Sequence, residues 1–316
     1  MKIVYITGCL GFIGSYVTRR CLQKGWMVYG VDKCTYAANR GVLDEFNKYD
    51  NFTFEQIDIK DMIHLYDCDY VINLAAESHV GNSIVDSKKF LNSNVAGVQN
   101  LLELIRHKQE NCSERPVFFH FSTDEVYGDI ENGVHTENDL LKPSNPYSAA
   151  KAAADMLVYA WARTYGVKYI VLRPTNNYGE GQYPEKLIPL SVKNLVRGKK
   201  IRLHNGGSPI RTWLHADDTA LAVMKIIETN QVNKIFNVSG GFEQDNLTTV
   251  KKILKNFFNE DVNVQNYVDF SYNRTGQDVR YALDDSSLRN IGWNPLRSFD
   301  KEIKNIVEYY TNKWIW

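Results

Sequence analysis

Tyr147 and Lys151 stand four residues apart in Pro146-Tyr147-Ser148-Ala149-Ala150-Lys151. On a helix that spacing puts both side chains on one face. A free phenol ionises near ~10. A lysine ammonium beside it favours the phenolate, so the pair can act as a base toward an alcohol. Tyr-x-x-x-Lys also arises by chance as a surface pair, and its surroundings must decide. Some twenty residues upstream the chain reads Phe121-Ser122-Thr123-Asp124-Glu125-Val126-Tyr127-Gly128. Thr123 can hydrogen-bond a substrate oxygen. Asp124 and Glu125 offer two carboxyls, which serve as acid and base if their environments push their pKa values apart. The plainer alternative is that they cap the following turn. A simple dehydrogenase or epimerase has no evident need for such a pair, whereas an enzyme that eliminates water does.

The setting is supplied by Thr7-Gly8-Cys9-Leu10-Gly11-Phe12-Ile13-Gly14. It follows an apolar run and opens a helical pattern. Gly8, Gly11 and Gly14 allow a tight turn and close approach of a pyrophosphate, and the helix N-terminus adds N–H donors. Asp32, ending the next apolar run, is placed for the adenosine ribose hydroxyls and favours NAD. Lys33 beside it keeps NADP open. A cationic nicotinamide would add to the pull of Lys151 on the Tyr147 proton. Cys9 in this loop reads as a small buried filler rather than a reactive thiol.

These residues require elements to hold them. Apolar runs at Lys2–Thr7, Trp26–Val31, Phe52–Ile57, Tyr70–Ala75, Pro116–Ser122 and Lys168–Arg173 read as strands. Ile13–Lys24, Lys89–Lys108 and Ser148–Tyr165 read as helices between them. That alternation predicts an α/β fold, a doubly wound parallel sheet with right-handed crossovers. Residues 174–186, with Pro174, Gly179, Gly181 and Pro184, read as a functional loop. Further helices are expected at Ile188–Arg197, Asp217–Glu228, Thr248–Phe258, Ser286–Ile291 and Asp300–Tyr310, with strands at Lys200–His204 and Lys234–Val238.

Composition narrows the class. The 316 residues carry 37 Lys and Arg against 37 Asp and Glu. Such neutrality argues against nucleic acid as a partner, and the 44% hydrophobic content against global disorder. Cys9, Cys21, Cys34, Cys68 and Cys112 are odd in number and form no C-x-x-C pair, which fits a reduced, cytoplasmic protein without a metal site. No stretch is apolar enough for a membrane helix, and Thr7 and Gly8 break the N-terminal run too soon for a signal peptide.

Jointly, several segments resemble the nucleotide-sugar 4,6-dehydratases of the extended short-chain dehydrogenase/reductase superfamily. They are Thr123–Gly128, Pro146–Lys151, Asn73-Leu74-Ala75-Ala76-Glu77-Ser78-His79-Val80, Asn176-Asn177-Tyr178-Gly179, Pro184–Pro189, Arg211–Asp218 and Gly276–Ala282. The resemblance runs from residue 3 to about 295. It implies a Rossmann-type NAD domain, 1–173 plus about 212–238, interleaved with a smaller α/β substrate lobe, about 174–211 plus 239–316. It implies that Phe12, Ile13, Asp32, Lys33, Thr35, Asp58, Ile59, Leu74, Ala75, Ala76, Ser78, Ser93, Tyr147, Lys151 and Asn177 meet NAD. Ser78, Thr123, Asn176, Lys186, Leu187, Leu203, His204, Arg211, Asn246, Arg274 and Gln277 would meet the nucleotide sugar. Thr123, Asp124, Glu125, Tyr147 and Lys151 would carry the chemistry.

The implied activity is dehydration of a nucleotide-diphosphate hexose to its 4-keto-6-deoxy form, by a homodimer. The favoured substrate is dTDP-glucose, with UDP-glucose or another sugar nucleotide next, then 4-epimerisation or decarboxylation, and last a non-catalytic NAD sensor. Gly81-Asn82 replaces a usual Asp-Arg, Arg202-Leu203-His204-Asn205 a usual Pro-Ile-Tyr-Gly, and Gln277 a usual His. The Lys89–Lys108 and Ser148–Tyr165 stripes could face a second subunit or simply pack on the sheet.

Overall fold

The computed structural model describes residues 1–111, 116–272 and 278–313. Cys112, Arg274 and Gln277 lie outside them. Seven strands form one parallel sheet: β1 (Ile3–Thr7), β2 (Met27–Asp32), β3 (Phe52–Gln56), β4 (Tyr70–Asn73), β5 (Val117–Phe121), β6 (Tyr169–Pro174) and, after three strands of the smaller sheets, β10 (Lys234–Val238). Their order is β10-β6-β5-β4-β1-β2-β3, and every pairing is parallel. The strands read as unbroken apolar runs because both faces are covered. Val4 and Ile6 point to one face with Ile72, Phe119 and Leu172, where the helices Phe12–Gln23 and Ala216–Glu228 pack. Tyr5, Val71 and Phe118 point to the other, under Leu101, Leu102 and Ile105 of the helix Gly97–Asn111 and Ala154 and Val158 of Pro146–Tyr165. The strand order reverses between β1 and β4, which opens a crevice at the strands' carboxyl ends.

A second apolar cluster includes Tyr178, Ile188, Val192, Trp213, Val250, Ile253, Phe299 and Ile303. It carries a three-stranded sheet of β7 (Asn176–Tyr178), β9 (Ile210–His215) and β11 (Phe242–Asp245), and a two-stranded one of β8 (Ile201–Arg202) and β12 (Val268–Asp269). Thus the stretch expected as loop contains β7. The strand expected over Lys200–His204 shrinks to β8, because Asn205, Gly206 and Gly207 all take positive φ and turn the chain away.

The expected helix Lys89–Lys108 is broken. A helix Ser87–Leu91 passes into a wide π-helical turn, Asn92–Ala96, before Gly97–Asn111. Asn94 ties the turn to a distant segment: its side chain accepts from Glu77 N–H and donates to Glu77 C=O, both at 2.9 Å. That tie pulls the turn toward the crevice and presents Ser93 to it. Such bulges often mark functional sites. Both apolar stripes pack on the sheet, while Leu91 and Met156 stay exposed on their outer faces. Among the described residues no helix is long and apolar enough to cross a membrane.

Candidate active site

The crevice holds one large cavity of about 730 Å³, within the usual range for a bound cofactor or ligand. Its floor at one end is the glycine loop. The helix Phe12–Gln23 begins at Gly11 with no side-chain cap and no acid in its first turn, which leaves its positive end open to an anion. A Cβ on Gly8, at φ +69, would meet Ala75 N at 2.7 Å, and one on Gly14 would lie 2.0 Å from Gly8 O. Nothing larger than glycine fits this cradle, and a dinucleotide pyrophosphate is the group it suits. Gly14→Ala is therefore expected to overpack the turn, costing about 1–3 kcal/mol, and to abolish the rise in Tm on adding NAD. A variant with the native Tm and the full NAD shift contradicts this reading of the loop.

Asp32 is buried and accepts from the N–H groups of Leu10 and Cys34 at 3.1 and 2.7 Å. These bonds fix the carboxylate at the cavity wall. Lys33 donates to Ser93 at 2.8 Å and lies 3.6 Å from Asp58 and 3.8 Å from Glu77, so its charge is compensated by two acids. Burial pushes the Cys9 thiol well up, and its sulfur packs against Gly30. It is a filler of the loop.

The chemistry sits where β5 ends. Thr123 caps the short turn Asp124–Tyr127, accepting from Glu125 N–H at 3.3 Å and donating to Asp124 Oδ1 at 3.1 Å. Thr123, not the acids, does the capping, which leaves both carboxyls for other work. Burial, then the Glu125 charge, pushes Asp124 up to about 7. Burial raises Glu125 too, against a hydrogen bond from Asn145. The adjacent carboxyls thus sit in different settings, Asp124 beside the Glu125 charge and Glu125 under the Asn145 amide.

Asn145 was not singled out by the sequence, although an Asn before Pro146 is a helix-start signal. It forms a capping box with Ser148 for the helix Pro146–Tyr165 and donates Nδ2 to Glu125 Oε2 at 3.0 Å. Asn145→Ala is expected to cost about 1 kcal/mol as a lost cap. It should also raise the Glu125 pKa, moving the acidic limb of the pH–rate profile upward. Denaturant unfolding and a pH series check the two effects separately.

Tyr147 and Lys151 project from that helix into the same cavity. The expected lowering of the Tyr147 pKa does not occur in the protein alone. Burial pushes it above its ordinary value, Glu125 and Asp124 push it further, and a hydrogen bond with Thr123 opposes them. Lys151 is itself brought down to about 8 by burial. Desolvation and the two carboxyls prevail, so the phenol is neutral until positive charge is brought against it.

At the far end, the helix Leu187–Val196 starts at Lys186 without a side-chain cap. Lys186 reaches Ser78 C=O at 2.9 Å, and the Arg211 guanidinium lies 5.2 Å from the Tyr281 ring centroid. Two cations and a helix N-terminus suit a diphosphate. Every candidate residue named from the sequence and lying among the described residues borders this single cavity. Gly81 borders it too, while Asn82 donates to the Tyr36 hydroxyl at 3.4 Å. Residues not foreseen as site residues also line it, among them Thr175, Gln182, Tyr183, Glu185, Arg202 and Trp213. Arg202, noted only as a departure, lies 4.6 Å from the Tyr272 ring centroid.

A doubly wound parallel sheet with a glycine cradle, an acid closing β2 and a Tyr-x-x-x-Lys helix defines an extended short-chain dehydrogenase/reductase. The chain belongs to the GDP-mannose 4,6 dehydratase family, whose model matches residues 5–306. It is 40% identical over 337 residues to dTDP-glucose 4,6-dehydratase of Neisseria meningitidis serogroup B, covering 100% of this chain and 95% of that one. The Salmonella typhimurium dTDP-glucose 4,6-dehydratase is 37% identical, with 100% and 94% covered. Among solved structures, DesIV, a dTDP-glucose 4,6-dehydratase from Streptomyces venezuelae crystallised with NAD, superposes with a TM-score of 0.91 at 34% identity, covering 99% of this chain and 98% of that one.

Proposed function

We propose that this chain is an NAD-dependent hydro-lyase that converts dTDP-glucose to the 4-keto-6-deoxy sugar nucleotide. The observation that carries it is the Asp124–Glu125 pair sharing one cavity with Tyr147 and Lys151. Relatives 36–40% identical over nearly their whole length bear that activity in their names. NAD, held by the glycine cradle, Asp32, Asp58, Ser93 and Lys151, accepts hydride from sugar C4 and returns it to C6. Tyr147 takes the C4 hydroxyl proton. Thr123 and Tyr147 then donate hydrogen bonds to the C4 oxygen, which acidifies the C5 proton. Glu125 removes that proton, and Asp124 gives its own to the C6 hydroxyl, which leaves as water. Glu125 returns a proton to C5 as hydride reaches C6, and the proton taken by Tyr147 is lost to solvent while Asp124 regains one from it, which restores both groups. Lys186 and Arg211 hold the diphosphate.

The same reading divides the chain into the interleaved NAD and substrate lobes given above. It makes the protein a cytoplasmic homodimer joined through the outer faces that carry Leu91 and Met156. Mass spectrometry of the purified protein with dTDP-glucose and with UDP-glucose tests the activity. A product one water lighter, formed without added reductant and faster from dTDP-glucose, is expected. Unchanged sugar nucleotide in every reaction of the panel overturns the reading.

A further inference from the structure

Beneath the catalytic pair runs a buried polar chain that the steps above do not use. Thr7, just before the glycine cradle, donates its hydroxyl to Asn73 Oδ1 at 2.6 Å. With its oxygen so occupied, Asn73 turns its amide nitrogen to His120 Nδ1 at 3.4 Å. An amide nitrogen only donates, so Nδ1 accepts and the ring proton sits on Nε2. That Nε2 faces Asp155 Oδ1 at 3.5 Å. The other carboxylate oxygen accepts from Arg173 Nε and Nη2 at 3.1 and 2.9 Å. Arg173 in turn donates to the Tyr127 hydroxyl at 2.7 Å, which donates to Asn237 at 2.8 Å. His120 and Asp155 are fully buried, and Arg173 is 1% exposed.

Asp155 lies one helical turn beyond Lys151 and two beyond Tyr147, on the same stripe of the helix Pro146–Tyr165. Asp155 on its own helix and His120 on β5 interact electrostatically with Lys151, Tyr147, Asp124 and Glu125 share its cavity, and Arg173 on β6 stands behind Asp155. Burial keeps His120 neutral, with Lys151 and Arg173 adding to the effect. Asp124 holds its proton up to about pH 7. Glu125 is engaged by Asn145. Burial raises Asp155 itself, against the charges of Arg173 and Lys151 and hydrogen bonds from Ser122 and Arg173; as the anion it attracts Lys151 and opposes the lysine's desolvation.

We propose that Asp155 is a positioning residue for the reaction: held from behind by Arg173 and set one helical turn from Lys151, its carboxylate keeps Lys151 charged at the cavity wall. The proposal rests on the catalytic reading of Lys151. Thr7, Asn73 and His120 run from the cofactor loop to within 3.5 Å of this carboxylate. A fold-stabilising ion pair between Asp155 and Arg173 is the alternative, and it makes no demand on Lys151.

Asp155→Asn keeps the shape and removes the charge. It is expected to lower kcat roughly tenfold or more at pH 8 with little change in sugar KM. Without the anion Lys151 loses its proton more easily, so the alkaline limb of single-turnover C4 oxidation, a step that does not use Asp124, should move down by about one pH unit. Arg173→Lys also disturbs the ion pair but retains the carboxylate, and it should destabilise the protein without moving that limb downward. A folded Asp155→Asn with the native limb, or an Arg173→Lys that shifts it equally, overturns the proposal.

Should Asp155→Asn not fold, wild type labelled with carbon-13 at aspartate carboxyls gives the answer. One resonance should shift as pH passes about 8 and stay flat in Lys151→Met. The absence of any such resonance overturns the proposal as well. This titration needs no substrate, so it stands apart from failure of the dehydration panel.

Discussion

Tyr147→Phe is expected to lower turnover of the sugar nucleotide by about 10²–10⁴-fold, the range for loss of a positioned general base, while leaving the fold and NAD binding intact. The ring is buried and meets Phe90 edge-on, with centroids 6.3 Å apart, so phenylalanine preserves the packing. What is removed is the hydroxyl, which pairs with Thr123 and faces the proton to be taken. In the ligand-free protein that phenol is held neutral by burial and by the two carboxyls. Its activation therefore waits for the charged nicotinamide and the Lys151 ammonium together. A single-turnover experiment on dTDP-glucose, followed by nicotinamide absorbance, should show C4 oxidation itself blocked. Oxidation at the native rate would remove Tyr147 from the mechanism. Unaltered thermal unfolding, with the native rise in Tm on adding NAD, separates this outcome from misfolding.

The residues that do the chemistry were legible because chemistry demands particular types at fixed spacing. Gly8 and Gly14 cannot be replaced where a Cβ would run into backbone atoms, and Tyr147 and Lys151 must lie one turn apart to share a face. The parallel sheet was legible because burial on both faces leaves uninterrupted apolar runs.

What stayed hidden depends on partners distant in sequence. The π-helical turn at Asn92–Ala96 is tied by Asn94 to Glu77, seventeen residues away, and no local pattern announces it. β9 was missed because Arg211 and Thr212 interrupt its apolar pattern. Arg211 borders the cavity, and Thr212 donates to Tyr281 C=O at 2.9 Å. The upward push on the Tyr147 pKa in the ligand-free protein stayed hidden for a related reason. Spacing reveals the lysine neighbour but not the depth of burial, which is the largest cause of that push.

Replacing both acids, Asp124→Asn with Glu125→Gln, is expected to separate the two halves of the reaction. Neither residue is needed to take the C4 proton, so oxidation at C4 should continue. Water loss needs both a base at C5 and an acid at C6, and should fall by about 10²–10⁴-fold or more. With nothing at C6 ready to receive hydride, reduced nicotinamide should accumulate in the variant and not in wild type. The wild-type pH profile carries a linked signature. Burial raises Asp124 to about 7, so its acid form persists to neutrality and is lost as pH rises through that value. Dehydration should decline over the same interval, and Asp124→Asn alone should abolish that limb.

Stability moves in the same direction. Between the ordinary aspartate value and about 7 the folded state binds more protons at Asp124 than the unfolded chain does, so raising pH through this window costs stability. The asparagine variant should lose this contribution to the pH dependence of Tm. If the double variant released the dehydrated product at the native rate, elimination would have to be assigned to other groups in the cavity.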